Sequence, residues 1–397
     1  MQNGVWRDFI ALWAEYTKGV ISPDIFKLWA AAAMVGAYTG RRVWFRTASR
    51  PSYLNLYVLL CGRPGVGKGV LDVARYVAKK VTDKKGCPIV SLSPDSMTRA
   101  ALIDEITDAR DHNLFCIVEE FEVLLPTYDR EFIGTINKLW TAPDEFIESR
   151  RSRANKRKTI DKPILSLLAG ATPSYFSSNF PEEAWTTGLA RRIFLIYAAV
   201  RPDFELFSIT NFDEKLEKHL IYQLSTIAHL SGEIKFSVEA RELLVDWDRQ
   251  KGPPTPTHSR LEQYNTSRTT LFLPRLASIA AIARSGALEV TLEDVERAKN
   301  WLIQAEEVMP DAFRDMRGHN SYQIIEELHR SAMAKLSRSG STQQCISESW
   351  MFDFIAGRAP PERVRTIIDI ALKGGWFQKV AGQDDLYRPL AKGLRVE

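Results

Sequence analysis

The sequence has few cysteines, almost no excess of charge and no long apolar run. Its four cysteines, Cys61, Cys87, Cys116 and Cys345, are widely spaced and include no C-x-x-C pair. This pattern fits neither a zinc site nor a small disulfide framework, and it suits a reducing compartment. The most apolar run, IFKLWAAAAMVGAYTG, carries a lysine and is too short to span a bilayer. We therefore expect a cytoplasmic protein with no membrane partner.

The charge balance is nearly even, with 53 lysines and arginines against 49 acidic residues and a net charge of +4. An excess this small does not by itself indicate nucleic-acid binding, so the position of the basic residues matters more than their number. With 397 residues, 45% of them hydrophobic, the chain has room for two or three domains, one of them large.

Short apolar runs alternate with longer helical stretches from residue 55 onward. The runs NLYVLLC, CPIVSLS, LFCIVEE, PILSLLAGAT and RIFLIYAAV are typical of five parallel strands in an α/β core. Two helices precede them, the second with Ser22 and Pro23 as its start signal. A mostly helical segment follows, and the chain ends in three helices and a hairpin, the order of a winged helix. The predicted domains are an N-terminal helical element (1–48), the α/β core (49–203), a helical lid (204–316) and a winged-helix domain (317–397).

A glycine-rich stretch, GRPGVGKG, follows the first of these strands and precedes a helix. In this context the backbone N–H groups of such a turn wrap phosphates, and its lysine reaches the β- and γ-phosphates. The residue after the lysine is Gly69, where a Ser or Thr hydroxyl usually holds magnesium. The sequence therefore predicts an ATP site formed by Gly62, Pro64, Gly65, Val66, Gly67, Lys68, Gly69 and Val70.

Two adjacent acids, Glu119 and Glu120, end the apolar run FCIV about fifty residues later. In such sites the first acid supports Mg²⁺ and the second polarises the attacking water. Magnesium accepts water in place of a protein oxygen. We therefore expect that Gly69 weakens the metal affinity and slows turnover while hydrolysis survives. The competing interpretation is that the site binds ATP only for assembly.

Three further polar residues belong to the fourth and fifth predicted strands. Thr172 ends AGAT, where a polar residue between the second acid and the γ-phosphate is expected. Arg191 and Arg192 open the fifth strand. Two arginines at the start of a strand are usually exposed to solvent. In ring ATPases, however, an arginine at this point stabilises the transition state in the neighbouring subunit's site.

The order of the P-loop, IVEEF, AGATP and GLARRIFLIY resembles the AAA+ ATPase core. The likeness extends over about residues 25–310 and is to hexameric DNA helicases, both the minichromosome maintenance type and the helicase parts of phage and plasmid primase-helicases. It implies a homo-hexamer with an arginine finger. Arg192 is the first candidate for that finger and Arg191 is the second. The segment SRTTLFLPRLASIAAIARS, followed by a short helix containing TLEDVERA, is similar to the lid of those helicases. By this resemblance Arg268 senses the nucleotide and Arg275 takes the second lid position.

A basic run lies between the acids and Thr172, in ESRRSRANKRKTIDK. Such runs are often solvated loops, but in related hexameric helicases an insertion here forms a hairpin that points into the pore. Positive charge at this place would track the phosphate backbone of single-stranded DNA without reading bases. The predicted DNA-binding residues are Arg150, Arg151, Arg153, Lys156, Arg157 and Lys158.

Taken with the resemblance, these features favour a ring-forming ATP-dependent DNA helicase or translocase of a phage or mobile element, working in the host cytoplasm. Its cofactors would be ATP and Mg²⁺, and its partners single-stranded DNA, further copies of itself and a separate primase or other replication proteins. Two alternatives stay open. One is an ATP-bound helicase loader with weak hydrolysis, and the other is a non-catalytic DNA-binding scaffold or regulator.

Overall fold

The computed structural model describes residues 6–47, 50–149, 157–180, 185, 188–204, 212–316, 321–339, 345–359, 361–380, 382–383 and 385–390. The chain divides into two compact units, Met1–Met316 and Arg317–Glu397. The first unit includes three segments that the sequence analysis separates. One continuous hydrophobic cluster runs through the N-terminal helices, the α/β core and the helical segment.

The first unit alternates helices and strands over its whole length. Its described helices are α1 (Phe9–Tyr16), α2 (Asp24–Thr39), α3 (Val70–Lys80), α4 (Arg99–Asp108), α5 (Phe121–Leu124), α6 (Arg130–Trp140), α7 (Pro173–Asn179), α8 (Glu214–Ile227), α9 (Val238–Arg249), α10 (Glu262–Ser267), α11 (Leu273–Ser285) and α12 (Leu292–Met316). Its strands are β1 (Val43–Phe45), β2 (Ser52–Tyr53), β3 (Tyr57–Gly62), β4 (Ser91–Leu92), β5 (Asn113–Val118), β6 (Glu145–Ser149), β7 (Arg157–Asp161), β8 (Ile164–Ala171), β9 (Ile193–Ala198), β10 (Gly232–Glu233), β11 (Lys235–Phe236) and β12 (Glu289–Val290).

A five-stranded, all-parallel sheet forms the centre of this unit, with the order β4-β5-β8-β3-β9. Every residue of β3, β5 and β8 is buried, which explains why these strands are continuous apolar runs in the sequence. The predicted parallel five-stranded α/β core is therefore confirmed. The strand predicted over CPIVSLS is only two residues long. The N–H of Ile89 donates to the carbonyl oxygen of Val81 instead of to the sheet. The prolines at positions 88 and 94 have no N–H to donate.

Helix α2 packs at the centre of the first unit. It contacts β3, β8 and β9 of the sheet, α3 and α8 beside it, and α11 of the helical segment. Almost all of its residues are buried, from Phe26 to Thr39. The helix begins one residue after Pro23, and no side chain caps it. The helix therefore begins beside the predicted start signal Ser22–Pro23, but the hydroxyl of Ser22 does not cap it and has another partner, described below.

The helical segment after β9 contains two small parallel strand pairings, one to β1 in the preceding part of the chain and one within the segment itself. Strand β10 pairs with β1, and β11 pairs with β12. A five-residue π-helical turn, Arg268–Phe272, connects α10 to α11. The expected short helix at the end of the segment is instead the 25-residue α12, which packs along α11 and β9.

The second unit has its own small core. Its helices are α13 (Ser321–Ser339), α14 (Glu348–Ala356) and α15 (Pro361–Lys373), and its strands are β13 (Ile346–Ser347), β14 (Phe377–Lys379) and β15 (Leu386–Pro389). The strands form an antiparallel sheet in the order β13-β15-β14. Apolar residues of all three helices and of the sheet pack together, among them Leu328, Met351, Ile367 and Phe377.

Candidate functional site

The glycine-rich turn connects the carboxyl end of β3 to the start of α3. Gly65 and Gly67 have φ angles of +83° and +94°, a backbone region that side chains disfavour. A Cβ at Gly62 would lie 2.9 Å from the carbonyl oxygen of Ala198. These three glycines are therefore required by the shape of the turn, while the nearly buried Val66 anchors it.

Gly69 differs from these glycines. Its backbone is right-handed helical (φ −60°, ψ −13°) and it occupies the N-cap position of α3 without a side-chain cap. A Cβ at this position would meet only Val20 Cγ1, at 3.8 Å, which is ordinary van der Waals contact. Neither backbone strain nor crowding explains the missing hydroxyl. The following residue, Val70, is fully buried.

Lys68 reaches across the carboxyl edge of the sheet. Its Nζ donates to the carbonyl oxygen of Ala171, 3.0 Å away at the end of β8. Partial burial lowers the pKa of Lys68, while the charges of Glu120 and Glu122 oppose that shift. A Cβ at Gly170 would lie 2.1 Å from the carbonyl oxygen of Glu119 and 3.0 Å from Lys68 Cδ, so only glycine fits between the end of β5 and the lysine.

A crevice of about 160 Å³ opens beside the lysine. Its lining comes from the ends of β5 and β8 and from the helices that follow them. It comprises Lys68, Glu120, Phe121, Glu122, Gly170, Ala171, Thr172 and Tyr175. The structure thus brings the predicted lysine, second acid and Thr172 together around one small polar opening.

The two predicted acids have different neighbours. Glu119 is exposed and shares a hydrogen bond with Asp72 of α3, which raises the pKa of Glu119 to about 7. Glu120 faces the crevice together with Glu122. The pKa of Glu122 is raised, first by burial and then by its hydrogen bond with Glu120.

Asp72 and Glu122 are not among the residues predicted from the sequence. Asp72 lies in the first turn of α3, four residues after Lys68, which precedes the helix. Glu122 follows Glu120 by two residues. The short distances in sequence to Lys68 and Glu120 are the signal that could have identified the two acids. Exposed acids at such positions are common on any helix, so only the fold shows that both reach the site.

Thr172 directly follows β8 and caps the next helix, α7. Its Oγ1 accepts a hydrogen bond from the N–H of Tyr175 at 3.2 Å and shares a second with the hydroxyl of Ser174 at 3.0 Å. Strand β8 lies between β3, which leads into the Lys68 turn, and β5, which leads into Glu119 and Glu120. Thr172 therefore lies between the lysine and the two acids.

Arg191 and Arg192 precede β9, whose first residue pairs with Tyr57, the first residue of β3. They therefore lie at the amino edge of the sheet, opposite Lys68. Arg191 is exposed. Arg192 is half-buried, donates to the carbonyl oxygen of Gly188 at 2.7 Å and lies 5.8 Å from the Trp140 ring. Arg191 is the more exposed of the two, so it can contact another molecule more readily than Arg192, the first candidate for the arginine finger.

The two lid arginines are not brought to the crevice. Arg268 is only 1% exposed and forms a double ion pair with Glu306 of α12. Its remaining donors bind the carbonyl oxygens of Gly252 and Pro254. The expectation that Arg268 touches the nucleotide is therefore corrected, because the lid interior satisfies its charge and its donors.

Arg275 is likewise buried, at 3% exposure. It donates to the carbonyl oxygen of Asn55 at 2.6 Å and stacks 4.2 Å from the Trp140 ring. Burial lowers its pKa to about 9. Asn55 precedes β3, at the edge of the sheet away from Lys68, so the cofactor-binding expectation for Arg275 is also corrected to a packing role.

The basic run lies at the end of an antiparallel ribbon. Strands β6 and β7 pair from Glu145 with Asp161 to Ser149 with Arg157. Arg157 is exposed, whereas Lys158 forms an ion pair with Asp104 of α4. The predicted DNA-binding residues Arg150, Arg151, Arg153 and Lys156 lie outside the described residues.

A second ion pair also fixes the ribbon to α4. Arg99 binds Glu148 through both of its Nη atoms, at 2.7 and 3.1 Å. Phe146 and Ile160 bury the inner face. Both ion pairs therefore hold the ribbon close to the Ser149–Arg157 end of its pairing, next to the place in the sequence where the basic run is inserted.

No helix in the described part of the chain is both long and apolar enough to cross a membrane. Within the same residues, no group of three or more His, Cys, Asp or Glu side chains is arranged to hold a metal ion. No protein-family model matches this sequence, and no curated protein matches it significantly.

Proposed function

We propose that this chain is a ring-forming, ATP-dependent DNA helicase or translocase with an AAA+ type core. The observation that carries the proposal is the meeting of the Lys68 turn, the Glu119–Glu120 pair and Thr172 at the carboxyl edge of one parallel sheet. Open parallel sheets bind their ligands at this edge.

The turn suits a triphosphate. The positive φ angles of Gly65 and Gly67 give the turn the glycine-dependent backbone that phosphate-binding loops use, and the amino end of α3 adds partial positive charge. Lys68 uses one of its three donors on Ala171. In this proposal Lys68 binds the β- and γ-phosphates and Thr172 orients the terminal one.

The acids suit magnesium and a water nucleophile. Glu119 and Asp72 share a hydrogen bond between two carboxyl groups, an arrangement of oxygen donors that fits a hard divalent cation. Bound Mg²⁺ would offset the phosphate charge. Glu120, which lines the crevice, would accept the proton of the attacking water.

The position of the paired arginines supports a ring. Strand β9 separates them from the carboxyl edge by six residues, a distance of about 20 Å. An arginine side chain cannot span that distance to its own Lys68 site. An arginine finger at Arg191 would therefore act on the site of a neighbouring subunit, which is consistent with the homo-hexamer implied by the resemblance.

The proposed DNA contact is the basic end of the β6–β7 ribbon, which would grip the phosphate backbone of single-stranded DNA. The second unit has the order helix, strand, two helices and a two-stranded hairpin. We infer a winged helix that contacts a partner, such as a separate primase or another replication protein.

One observation favours a second candidate. Gly69 offers no side-chain oxygen at the position that usually holds magnesium. A loader that binds ATP, assembles and hydrolyses slowly would need this ligand less than a motor does. The two candidates differ in turnover, not in nucleotide binding.

The test is steady-state hydrolysis of Mg-ATP with and without single-stranded DNA, using Glu120→Gln as the control. A motor shows turnover that DNA stimulates and that the variant loses, together with unwinding of a forked duplex. Turnover no higher than that of Glu120→Gln, with ATP still bound, would favour the loader. Absence of ATP binding by the wild-type protein would reject the nucleotide site itself.

A further inference from the structure

The segment just before α2 lies against the glycine-rich turn. Ser22 is fully buried, and its Oγ donates a hydrogen bond to the carbonyl oxygen of Gly67 at 2.9 Å. A Cβ at Gly67 would collide with the carbonyl oxygen of Ile21 and lie 3.4 Å from the Cα of Ser22. Two consecutive residues, 45 positions upstream, therefore contact the residue that immediately precedes Lys68.

The hydroxyl of Ser22 is not used in the way that the sequence suggests. A serine beside the start of a helix commonly caps it, yet α2 has no side-chain cap. In α3, the N–H of Leu71 donates to the carbonyl oxygen of Lys68, one residue beyond Gly67. The hydrogen bond from Ser22 thus holds a carbonyl in the turn from outside the turn.

The geometry points to a positioning role. Across a trans peptide the carbonyl oxygen and the following N–H point in opposite directions. Holding the Gly67 oxygen toward Ser22 directs the N–H of Lys68 away from the N-terminal segment. We propose that Ser22 is a positioning residue that fixes the Gly67–Lys68 peptide, so that the N–H of Lys68 faces the phosphates. This inference rests on the proposed nucleotide site.

The positive φ of Gly67 makes such a support necessary. A glycine at φ +94° has more backbone freedom than any other residue, so its peptide can rotate when nothing holds it. The neighbouring Val20 also lies beside Gly69. The segment from Val20 to Ser22 therefore holds the turn at two points, and Ser22 supplies the one hydrogen bond that we find between them.

The test compares Ser22→Ala and Ser22→Cys with the wild-type chain. Alanine removes the donor, whereas cysteine fills the space and keeps a weak one. Thr17→Val is the matched control, since Thr17 is equally buried and its hydroxyl donates at 2.7 Å within its own helical turn, to Trp13. The measurements are thermal unfolding, affinity for a fluorescent ATP analogue, and amide hydrogen exchange of residues 62–70 without nucleotide.

We expect Ser22→Ala to bind the analogue roughly threefold to tenfold more weakly, the range of one hydrogen bond. Ser22→Cys should fall between alanine and wild type, and Thr17→Val should match wild type. Exchange in the turn should be faster in Ser22→Ala without nucleotide. If Ser22 acts only by packing, Ser22→Cys should bind the analogue as tightly as wild type, because the cysteine side chain fills the same space.

Two results would overturn the inference alone. One is wild-type affinity and exchange in a folded Ser22→Ala, and the other is an equal loss of affinity in Thr17→Val. If the wild-type protein binds no ATP analogue, the proposed function fails and the positioning role fails with it. The affinity of the wild-type protein therefore separates the two failures.

Discussion

Arg268 and Glu306 meet side by side inside the first unit, with Nε–Oε1 and Nη2–Oε2 distances of 2.6 Å each. The hydroxyl of Tyr264 donates to the same carboxylate at 2.8 Å. Burial alone raises the pKa of Glu306, and the arginine and tyrosine counteract that shift. This pair joins the π-helical turn to α12, so its strength bears on the stability of the whole helical segment.

Replacing one partner of this pair should be costly. Arg268→Met leaves the Glu306 carboxylate buried without its counter-charge, and we expect a loss of about 3–5 kcal/mol in the free energy of unfolding. Denaturant titration measures it. The double variant Arg268→Met/Glu306→Met should recover most of this loss because no charge is stranded. Weaker ATP binding by Arg268→Met at unchanged stability would instead indicate direct contact with the nucleotide.

Gly69→Ser should be tolerated and should strengthen the metal site. The backbone at Gly69 is helical and a Cβ there is unhindered, so a serine can supply the missing hydroxyl. We expect half-maximal hydrolysis at a lower Mg²⁺ concentration, measured by titrating the metal at saturating ATP.

The same substitution two residues earlier is the control. Gly67→Ser places a side chain at φ +94° against Ile21, so nucleotide binding should fall sharply. An unchanged Mg²⁺ requirement in Gly69→Ser would show that residue 69 lies out of reach of the metal.

The carboxyl pair Glu119–Asp72 should make stability depend on pH. The pKa of Glu119 is raised from 4.5 to about 7, so the folded chain holds this proton more tightly than the unfolded chain. The resulting stabilisation is fully present below about pH 4.5 and is lost as the pH rises through about 7. Thermal unfolding between pH 5 and 8 should show this decline.

Asp72→Asn should remove most of the decline, leaving the variant more stable than wild type at pH 8 with little difference near pH 5. Glu119→Gln should do the same, and the double variant should add nothing further, since both changes remove one interaction. Additive effects of the two substitutions would show that the two side chains do not share one interaction.

Substitutions of the two arginines before β9 should have different effects, one on turnover and the other on stability. Arg191→Ala removes an exposed side chain, so the variant should fold and bind ATP normally while turnover falls about a thousandfold, as for an arginine finger. Arg192→Ala removes the hydrogen bond to Gly188 and should lower the unfolding free energy by about 1–2 kcal/mol. Turnover and unfolding are measured on both variants.

Mixing Arg191→Ala with wild-type subunits tests the action in trans. If each finger serves a neighbour, hydrolysis should depend on which subunits are adjacent, and Lys68→Ala mixed with Arg191→Ala should restore part of the activity. Failure of every mixture to recover activity would contradict a shared site.

The central sheet could be predicted because its signal is local. Strands buried on both faces are almost entirely apolar, and β3, β5, β8 and β9 follow that rule with Asn113 and Ser166 as polar exceptions. Lys68 and Glu120 were predictable for a similar reason, since each directly follows such a strand or its turn. The partners of these residues depend on the folded chain, as the missed Glu122 and Asp72 show.

The lid arginines show the opposite case. Charged side chains are rarely buried, and the nucleotide-contacting roles expected for these arginines follow from the resemblance to helicase lids. Arg268 is buried because Glu306, 38 residues later, neutralises it, and no local pattern links the two. Arg275 is buried against a carbonyl and an indole ring, groups that carry no charge for a sequence pattern to match.

Helix α2 lies ahead of the first strand of the central sheet, yet it packs on β3, β8, β9 and α11 at once. A fragment cut at residue 49, where the sequence suggests a boundary, would lose this helix together with Ser22. The exposed apolar surface of the sheet would then favour aggregation, so the smallest fragment expected to fold on its own includes α1 and runs through α12.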